Sequence, residues 1–435
     1  MDFITYLQQR LSAYLPEVMA DYAGEIKATS LGEMEGAVKA AMHERGNQVL
    51  TEWVEAQDEK YPVEHRRCAC GAAAQYVRRR RGMAITLQGR MYYRRAYYLC
   101  EKCGQGHFPL DERLGIEPGP MSREAVNVAA LCGIHDAFEA GSDMLARTTL
   151  LELSPNSIRK ASQTVGQHVM AYESQALARS QDLAAQLEQR RVTNKPVRLS
   201  GSMDGFYVLL EDGYHEMKAG AWWTTGTRRD GEVEADQIQY YVDVLPAEDF
   251  ADLVWATGFA RHADQALELV FVADGAEWIW RIVSRLYPHA IQIVDWYHAC
   301  TYLTAIAAAA FSDHAQAQTW LAQQQTALWE GHLVTVFHAC RALSSPAPQA
   351  VRDALSYFAH NRTRLRYAKF RALGLQIGSG SMESGCKQIG LERLKIAGAR
   401  WSEEGARQVA KARAAYLSGQ WDVMTSLDTP LPKVA

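Results

Sequence analysis

Apolar positions in the first sixty residues recur at helical intervals. Leu7, Leu11, Leu15 and Met19 stand four apart, and a second helical run extends from Leu31 to about Ala56. Side chains at that spacing share one face of an α-helix, so residues 1–62 are expected to form a helical N-terminal arm. From 63 to 115 the period shortens. The segments AQYVRRR, MAITLQG and RMYYRRAYYLC alternate, carry Ile85, Leu87, Tyr92, Tyr93, Tyr97 and Tyr98, and turn at Gly82 and Gly89. That pattern predicts a small sheet. Residues 116–195 return to helix. LARTTLLEL and SIRKASQTVGQHV flank Pro155, with Ser154 or Asn156 as the cap of the second helix. Two helices and a tight turn fit a helix-turn-helix, although any α-hairpin gives the same pattern. A long helix is expected from Met170 to about Arg191.

Asn194-Lys195-Pro196 marks a boundary. Strand-like runs follow: VRLSGSMD, GFYVLLE, HEMKAGAWW and QIQYYVDVL. Next come a helix over about Asp249–Leu267, the strand LELVFVAD, the helix EWIWRIVSRLY, the strand AIQIVD and the helix WYHACTYLTAIAAAA. Three antiparallel strands and then β-α-β-α describe a mixed sheet with helices on its faces, the element order of a ribonuclease H-like fold. The expected fold class is therefore mixed α/β. A core at 196–311 is interrupted by an all-helical insertion at 312–375 and completed by helices at 376–420. The tail, 421–435, is expected to fray.

Composition narrows the class. The 435 residues are 48% hydrophobic and 22% charged, as in an ordinary globular chain. No apolar run approaches the roughly 20 residues of a membrane span, so no membrane partner is expected. The opening MDFITYLQQRL lacks an apolar h-region, so a cytoplasmic protein is expected. Four of the eight cysteines fall in two close pairs, Cys68/Cys70 and Cys100/Cys103. Two tight turns delivering two thiolates each suit a tetrahedral zinc ion, which would be structural because four protein ligands leave no open position. The first pair is Cys-x-Cys rather than the commoner Cys-x-x-Cys, and His65 and His107 are substitute ligands.

Net charge is −4, yet the basic residues are clustered. Residues 65–103 hold nine Arg and one Lys against one Glu, and residues 360–414 hold twelve Lys and Arg against four Glu. Such asymmetry points to a localised polyanion site. Arg78, Arg79, Arg80, Arg81, Arg94 and Arg95, with tyrosines beside them, are the candidates for phosphate contact in the first stretch. The competing reading is a hairpin kept soluble by arginine.

Three acids carry the candidate chemistry. Asp204 and Asp274 each end a strand-like run and precede glycine, and Glu383 opens a late helix within GSGSMESG. Glycine after each Asp would leave room for a ligand or the backbone to approach. Converging carboxylates need a cation, and oxygen ligands suit Mg(II) or Mn(II). Two such ions would serve an in-line phosphoryl displacement. Asp295 and His298 stand three apart after AIQIV. They would orient a metal ligand, a water or a phosphate, or else Asp295 simply caps a helix. Beyond Glu383, the residues Lys387, Arg393, Lys395, Arg400 and Trp401 would face a scissile phosphate; the competing reading is a solvated helix face.

YYLCEKCGQGHFPLDERLG, ADGAEWIW, IVDWYHA, GLQIGSGSMESGCK and GARWSEEG together resemble the ISKra-type insertion-sequence transposases, over about Cys68 to Trp421. That resemblance implies a DDE enzyme with a ribonuclease H-like core and the triad Asp204, Asp274 and Glu383. Asp295 and His298 match the Cys/Asp-x-x-His motif that precedes an all-helical insertion in related Mutator-like and hAT groups. The implied reaction cuts one strand at each element end and joins the freed 3′-OH to target DNA, without a covalent protein intermediate. It implies double-stranded DNA (element ends and target) as partner, at least a homodimer, and a place at the bacterial nucleoid. The main alternative is a catalytically inactive zinc-ribbon DNA-binding regulator derived from a transposase. A third is an RNA or hybrid nuclease of the same fold.

Overall fold

A computed structural model describes residues 2–23, 30–58, 63–116, 121–192, 195–227 and 233–426. The chain divides into two compact units, one up to Val165 and one from Gly166 on.

In the first unit α1 (Phe3–Ala23) and α2 (Leu31–Asp58) form the expected helical arm. The buried positions of α1 are Tyr6 and Tyr14, whereas Leu11 is exposed; the side chains of Leu15 and Met19 lie outside the described set. The tyrosines win because their rings pack with Val49 and Trp53. Their hydroxyls also donate to the Glu52 carboxylate, at 2.6 Å from Tyr14 and 3.3 Å from Tyr6. Strands β1 (His65–Arg67), β2 (Ala73–Thr86), β3 (Gly89–Leu99) and β4 (Gly106–His107) make an antiparallel sheet in sequence order. Its Ala84, Met91 and Tyr93 pack with Val54 of α2 and with Leu110 of the short helix α3 (Pro109–Leu114). Helices α4 (Arg123–His135) and α5 (Phe138–Thr149) follow. The next helix, α6 (Pro155–Gln181), is continuous, so the two helices expected from Ser157 to Arg191 are largely one. The Ser154 hydroxyl caps it by accepting from the Ser157 amide at 3.2 Å, and α7 (Leu183–Arg190) ends the helical region.

The second unit is built on β5 (Arg198–Leu210), β6 (Gly213–Thr227), β7 (Val233–Asp243), β8 (Glu268–Ala273) and β9 (Ile291–Val294), in the order β7-β6-β5-β8-β9. β7, β6 and β5 are antiparallel, whereas β8 and β9 run parallel to β5. Parallel neighbours need crossovers, supplied by α8 (Ala247–Ala260) and α9 (Glu277–Leu286). The runs VRLSGSMD and GFYVLLE form one strand, not two, because Asp204-Gly205 stays in register with β6. Asp204 is thus in mid-strand rather than at a strand end.

After α10 (Trp296–Ala310), the segment 312–375 holds helices α11 (His314–Trp329), α12 (Leu333–Ala342), α13 (Pro348–His360) and α14 (Tyr367–Ala372). Leu328, Val336, Val351 and Phe358 from that segment join Leu199, Trp222, Phe271 and Ile279 in one continuous core, so the segment does not fold around a core of its own. α15 (Gly380–Cys386), a π-helical stretch (Lys387–Leu394) and α16 (Glu403–Leu417) complete the unit. Residues 421–426 are not frayed. They form α17 (Trp421–Ser426), whose Met424 is buried with Val169 and Ala415; residues 427–435 lie outside the described set. Inside this unit the Lys411 ammonium, 1% exposed, pairs with Glu173 at 2.6 Å and Asp243 at 2.9 Å. Arg407 also reaches Asp243, at 2.6 Å. Among the described residues no helix is long and apolar enough to cross a membrane.

Candidate functional site

The cysteine pairs sit on two matching turns. Cys68 N–H donates to Ala72 O and Gly71 N–H to Cys68 O. In the second turn Cys100 N–H donates to Gln105 O and Gly104 N–H to Cys100 O. Gly71 and Gly104, at φ of 85° and 71°, occupy the left-handed region that closes each turn. The shortened Cys-x-Cys pair therefore keeps the geometry of its longer partner. Ligand atoms of all four cysteines lie within 4.8 Å of one another. Sγ–Sγ separations of 3.6 Å join Cys68 to Cys103 and Cys70 to Cys100. A tetrahedron of Zn–S bonds of about 2.3 Å has edges of roughly 3.8 Å, so the donor set fits a structural zinc ion. The backbone N–H of Cys103 lowers the Cys100 thiol to about 7. At Cys103 a backbone N–H favours the thiolate, but the neighbouring thiols outweigh it and push this group up to about 12. Four thiolates at this spacing need a cation. His107 Nε2 lies 3.3 Å from Cys68 Sγ, beside the ligand set.

The arginine candidates divide. Arg80 stands opposite Arg95 and Arg81 opposite Arg94 across β2–β3. Facing like charges are unfavourable unless something neutralises them. Asp111 neutralises Arg95, and Asp58 pairs with Arg79 at 3.0 Å. Arg80 lies flat over Tyr97 at 3.7 Å. Exposed side chains remain at Arg78, Arg81 and Arg94, with Arg81 over the exposed Tyr92 ring at 4.5 Å.

The acids approach from three elements. The β5–β8 ladder ends at Gly201–Phe271, so at Asp204, half-buried, β5 is no longer paired with β8. Asp274 follows β8, and its Oδ1 accepts from the Ala276 amide at 2.9 Å, fixing the turn into α9. Glu383, exposed, lies on α15. Burial raises the Asp204 carboxyl above its usual range. The Gly205 N–H opposes that shift, and the charges of Asp274 and Glu383 add to it. The three carboxylates thus share one electrostatic field. They are not closed around a single point, because among the described residues only the four cysteines bring three or more ligand atoms within 4.8 Å. The Cys386 thiol lies next to Asp204, and burial with the carboxylates of Asp204 and Glu383 pushes it up.

The glycines after the aspartates do not leave open space. A Cβ on Gly205 would stand 2.4 Å from the Glu216 carboxylate, and one on Gly275 would stand 2.1 Å from the Tyr357 ring. The room is filled by the protein itself. Glu216 in turn binds Lys218 at 2.7 Å, and Lys218 is the register partner of Gly205. This pair and the Tyr302–Tyr357 stack, at 4.0 Å, were not among the sequence candidates. The alternation of HEMK on β6 is the signal that places Glu216 and Lys218 on one face. Nothing local in the sequence announces the tyrosine stack.

Asp295 is a buried helix cap. Its Oδ1 accepts from the His298 amide at 2.7 Å, while Oδ2 accepts from the Ser379 amide at 2.6 Å and from the Ser379 hydroxyl at 2.9 Å. Of the alternatives drawn from the sequence, the capping one describes the geometry. The second oxygen also ties β9 to the segment that launches α15 and Glu383. His298 packs against Tyr302 and Tyr357, each 5.9 Å away.

Past Glu383 the π-helical winding redistributes the basic residues. Lys387 and Lys395 are exposed. Arg393 is 1% exposed and stacks over Trp401 at 5.0 Å. Trp401, also buried, donates its indole N–H to Leu394 O at 2.9 Å. The Arg400 guanidinium donates to Glu211 O. Arg393 and Trp401 are therefore turned inward, while Lys387, Lys395 and Arg400 are exposed, Arg400 being tied to Glu211 O.

With this geometry established, the comparisons place the chain in a family. It belongs to the uncharacterised protein family UPF0236, whose model matches residues 26–425. Comparison with curated proteins returns no match.

Proposed function

We propose that this protein is a DNA transposase of the DDE type, with a ribonuclease H-like core that cuts and joins strands by phosphoryl transfer. The observation that carries this reading is the field at Asp204, which the charges of Asp274 and Glu383 raise from two other elements. Strand order β7-β6-β5-β8-β9, three antiparallel strands and two parallel, supports the ribonuclease H-like assignment. Divalent ions of the magnesium type, held by Asp204, Asp274 and Glu383, would supply positive charge at the phosphate under attack. The chain's own residues do the positioning. Sheet and turn fix the two aspartates, and the Asp295–Ser379 bonds orient the segment carrying Glu383. The exposed Arg78, Arg81 and Arg94, with Lys387 and Lys395, would hold DNA by its phosphates, and α5–α6 would serve as a second DNA-reading element. Loading two element ends calls for at least a dimer, acting on cytoplasmic nucleoid DNA.

One observation favours a second reading, the inactive zinc-ribbon regulator: the three carboxylates are not gathered within the reach of one ion. The test is Mg- or Mn-dependent nicking and joining of element-end DNA, with Asp204→Asn and Glu383→Gln alongside. Cleavage lost in both variants with DNA affinity retained supports the transposase. Binding without cleavage in the wild type supports the regulator.

A further inference from the structure

Next to Asp274 a cavity of about 550 Å³ opens between α9 and α13, with Gly275 in its wall. Two of its lining groups are buried donors without a hydrogen-bond partner, the indole N–H of Trp280 and the hydroxyl of Tyr357. These residues are only 4% and 9% exposed. Buried donors are nearly always satisfied, so an acceptor is missing. Two arginines stand beside them, with Ser284, Asn361 and His360 also in the lining. Arg364 covers the Trp280 ring at 4.5 Å. Its Nε is bonded to Gln292 at 2.7 Å and its Nη1 to Asn361 at 3.0 Å, which fixes the guanidinium at the wall. Arg281 is exposed and makes no ion pair among the described residues. His360 Nδ1 faces its own helix at 2.7 Å from Ser356 O. One acid, Glu277, shares the wall.

An indole N–H, a phenol O–H and two guanidiniums form a set of donors, and the ligand that satisfies such a set is rich in acceptor oxygens. Phosphate is the common biological group with that property, and guanidinium is its usual partner. We infer that this cavity holds a backbone phosphate of the nucleic-acid strand, flanking the phosphate under attack at Asp274. The assignment of the strand as its source rests on the proposed function; the anion site itself rests on the cavity.

The test uses the full chain and a labelled single-stranded oligonucleotide, with deoxythymidine monophosphate and inorganic phosphate as small-anion probes. Arg281→Gln removes an exposed charge. Tyr357→Phe removes the partnerless hydroxyl and keeps the ring. Arg352→Gln, on an exposed part of α13 outside the cavity, is the control. Arg281→Gln should weaken strand binding about tenfold and make the salt dependence shallower by about 0.7 in log–log slope. Tyr357→Phe should weaken binding by a factor of about 3 to 10. Arg352→Gln should match the wild type. Wild-type affinity and slope in both cavity variants would overturn the subsite. Loss of phosphate or mononucleotide binding with strand binding unchanged would overturn the strand as its source. Asp204→Asn in a parallel cleavage assay separates the two claims. Cleavage that survives it sinks the catalytic reading, while an affinity loss in Arg281→Gln still establishes the phosphate site.

Discussion

The thiol cluster of the first unit and the carboxylate cluster of the second both gather groups of one sign, but to different degrees. Cys68, Cys70, Cys100 and Cys103 come from two turns of one small sheet and meet within 4.8 Å. Asp204, Asp274 and Glu383 come from a mid-strand position, a strand-to-helix turn and a helix, and influence one another only through their field. Short turns closed by backbone hydrogen bonds fix ligand positions tightly, which suits a closed tetrahedral site. Acids on three separate elements are held farther apart, a spacing that under the proposed function would suit hard ions that keep water and phosphate oxygens in their shell.

That contrast breaks or sharpens under five experiments. The largest effect belongs to the thiols. Cys68 and Cys100 supply two of the five buried residues around which one end of the ribbon packs, so metal should replace the missing core. Chelation or Cys68→Ser should abolish hydrogen-exchange protection in β1–β4, because structural zinc contributes on the order of 10 kcal/mol in comparable small sites. Affinity for zinc, measured by competition against a chelator, should fall steadily as pH drops, because protons compete with the metal for all four thiolates. Protection that persists without metal would erase the contrast.

Second, Asp204→Asn or Glu383→Gln should reduce metal-dependent strand cleavage by about 10³-fold, since charge stabilisation of several kcal/mol is removed. Third, Lys411→Met tests a further acid pair, Glu173 and Asp243, which is neutralised by an internal cation instead of a metal. Burial outweighs the ion pair at Glu173 and raises that carboxyl, while the two acids raise Lys411. Glu173 loses its cation while Asp243 keeps Arg407, and the uncompensated buried carboxyl should cost roughly 3–5 kcal/mol in denaturant unfolding. Fourth, Asp295→Ala removes the acceptor that holds Ser379. The rate constant for cleavage should fall up to about 10²-fold with little change in DNA affinity, as a small misplacement of Glu383 predicts. Equal losses in both would mean that Asp295 contacts the substrate.

The smallest effect is a stability gain. Asp204 is raised above its usual value of 3.8, so its ionised form is disfavoured in the folded protein. The cost is fully present above the folded-state pKa and disappears as pH falls through 3.8. Metal-free Asp204→Asn should therefore be more stable than wild type at pH 8, and no more stable near pH 3. A gain that stays constant across pH would show that charge is not the cause.

Elements with strong periodicity were legible in the chain. The two arm helices, the tyrosine-rich sheet, the β-α-β-α order and the all-helical 312–375 follow from spacing alone. The run through Asp204-Gly205 misled, because glycine after an acid reads as a turn when β6 cannot be seen alongside. The inward turns of Arg393 and Trp401 were hidden for other reasons: π-helical winding changes which side chains share a face at Arg393, and Trp401 is held by a bridge to Leu210 nearly two hundred residues earlier.

The sequence by itself displayed the two cysteine pairs and singled out the three acids as candidates, since residue type and spacing are read directly from the chain. Only the tertiary structure decided which arginines face solvent, that Asp295 braces the Glu383 segment, and that Trp280 and Tyr357 bury donors beside Asp274. Each of those depends on partners tens to hundreds of residues away. Their hydrogen bonds and charges act through space, and the chain's order does not encode those distances directly.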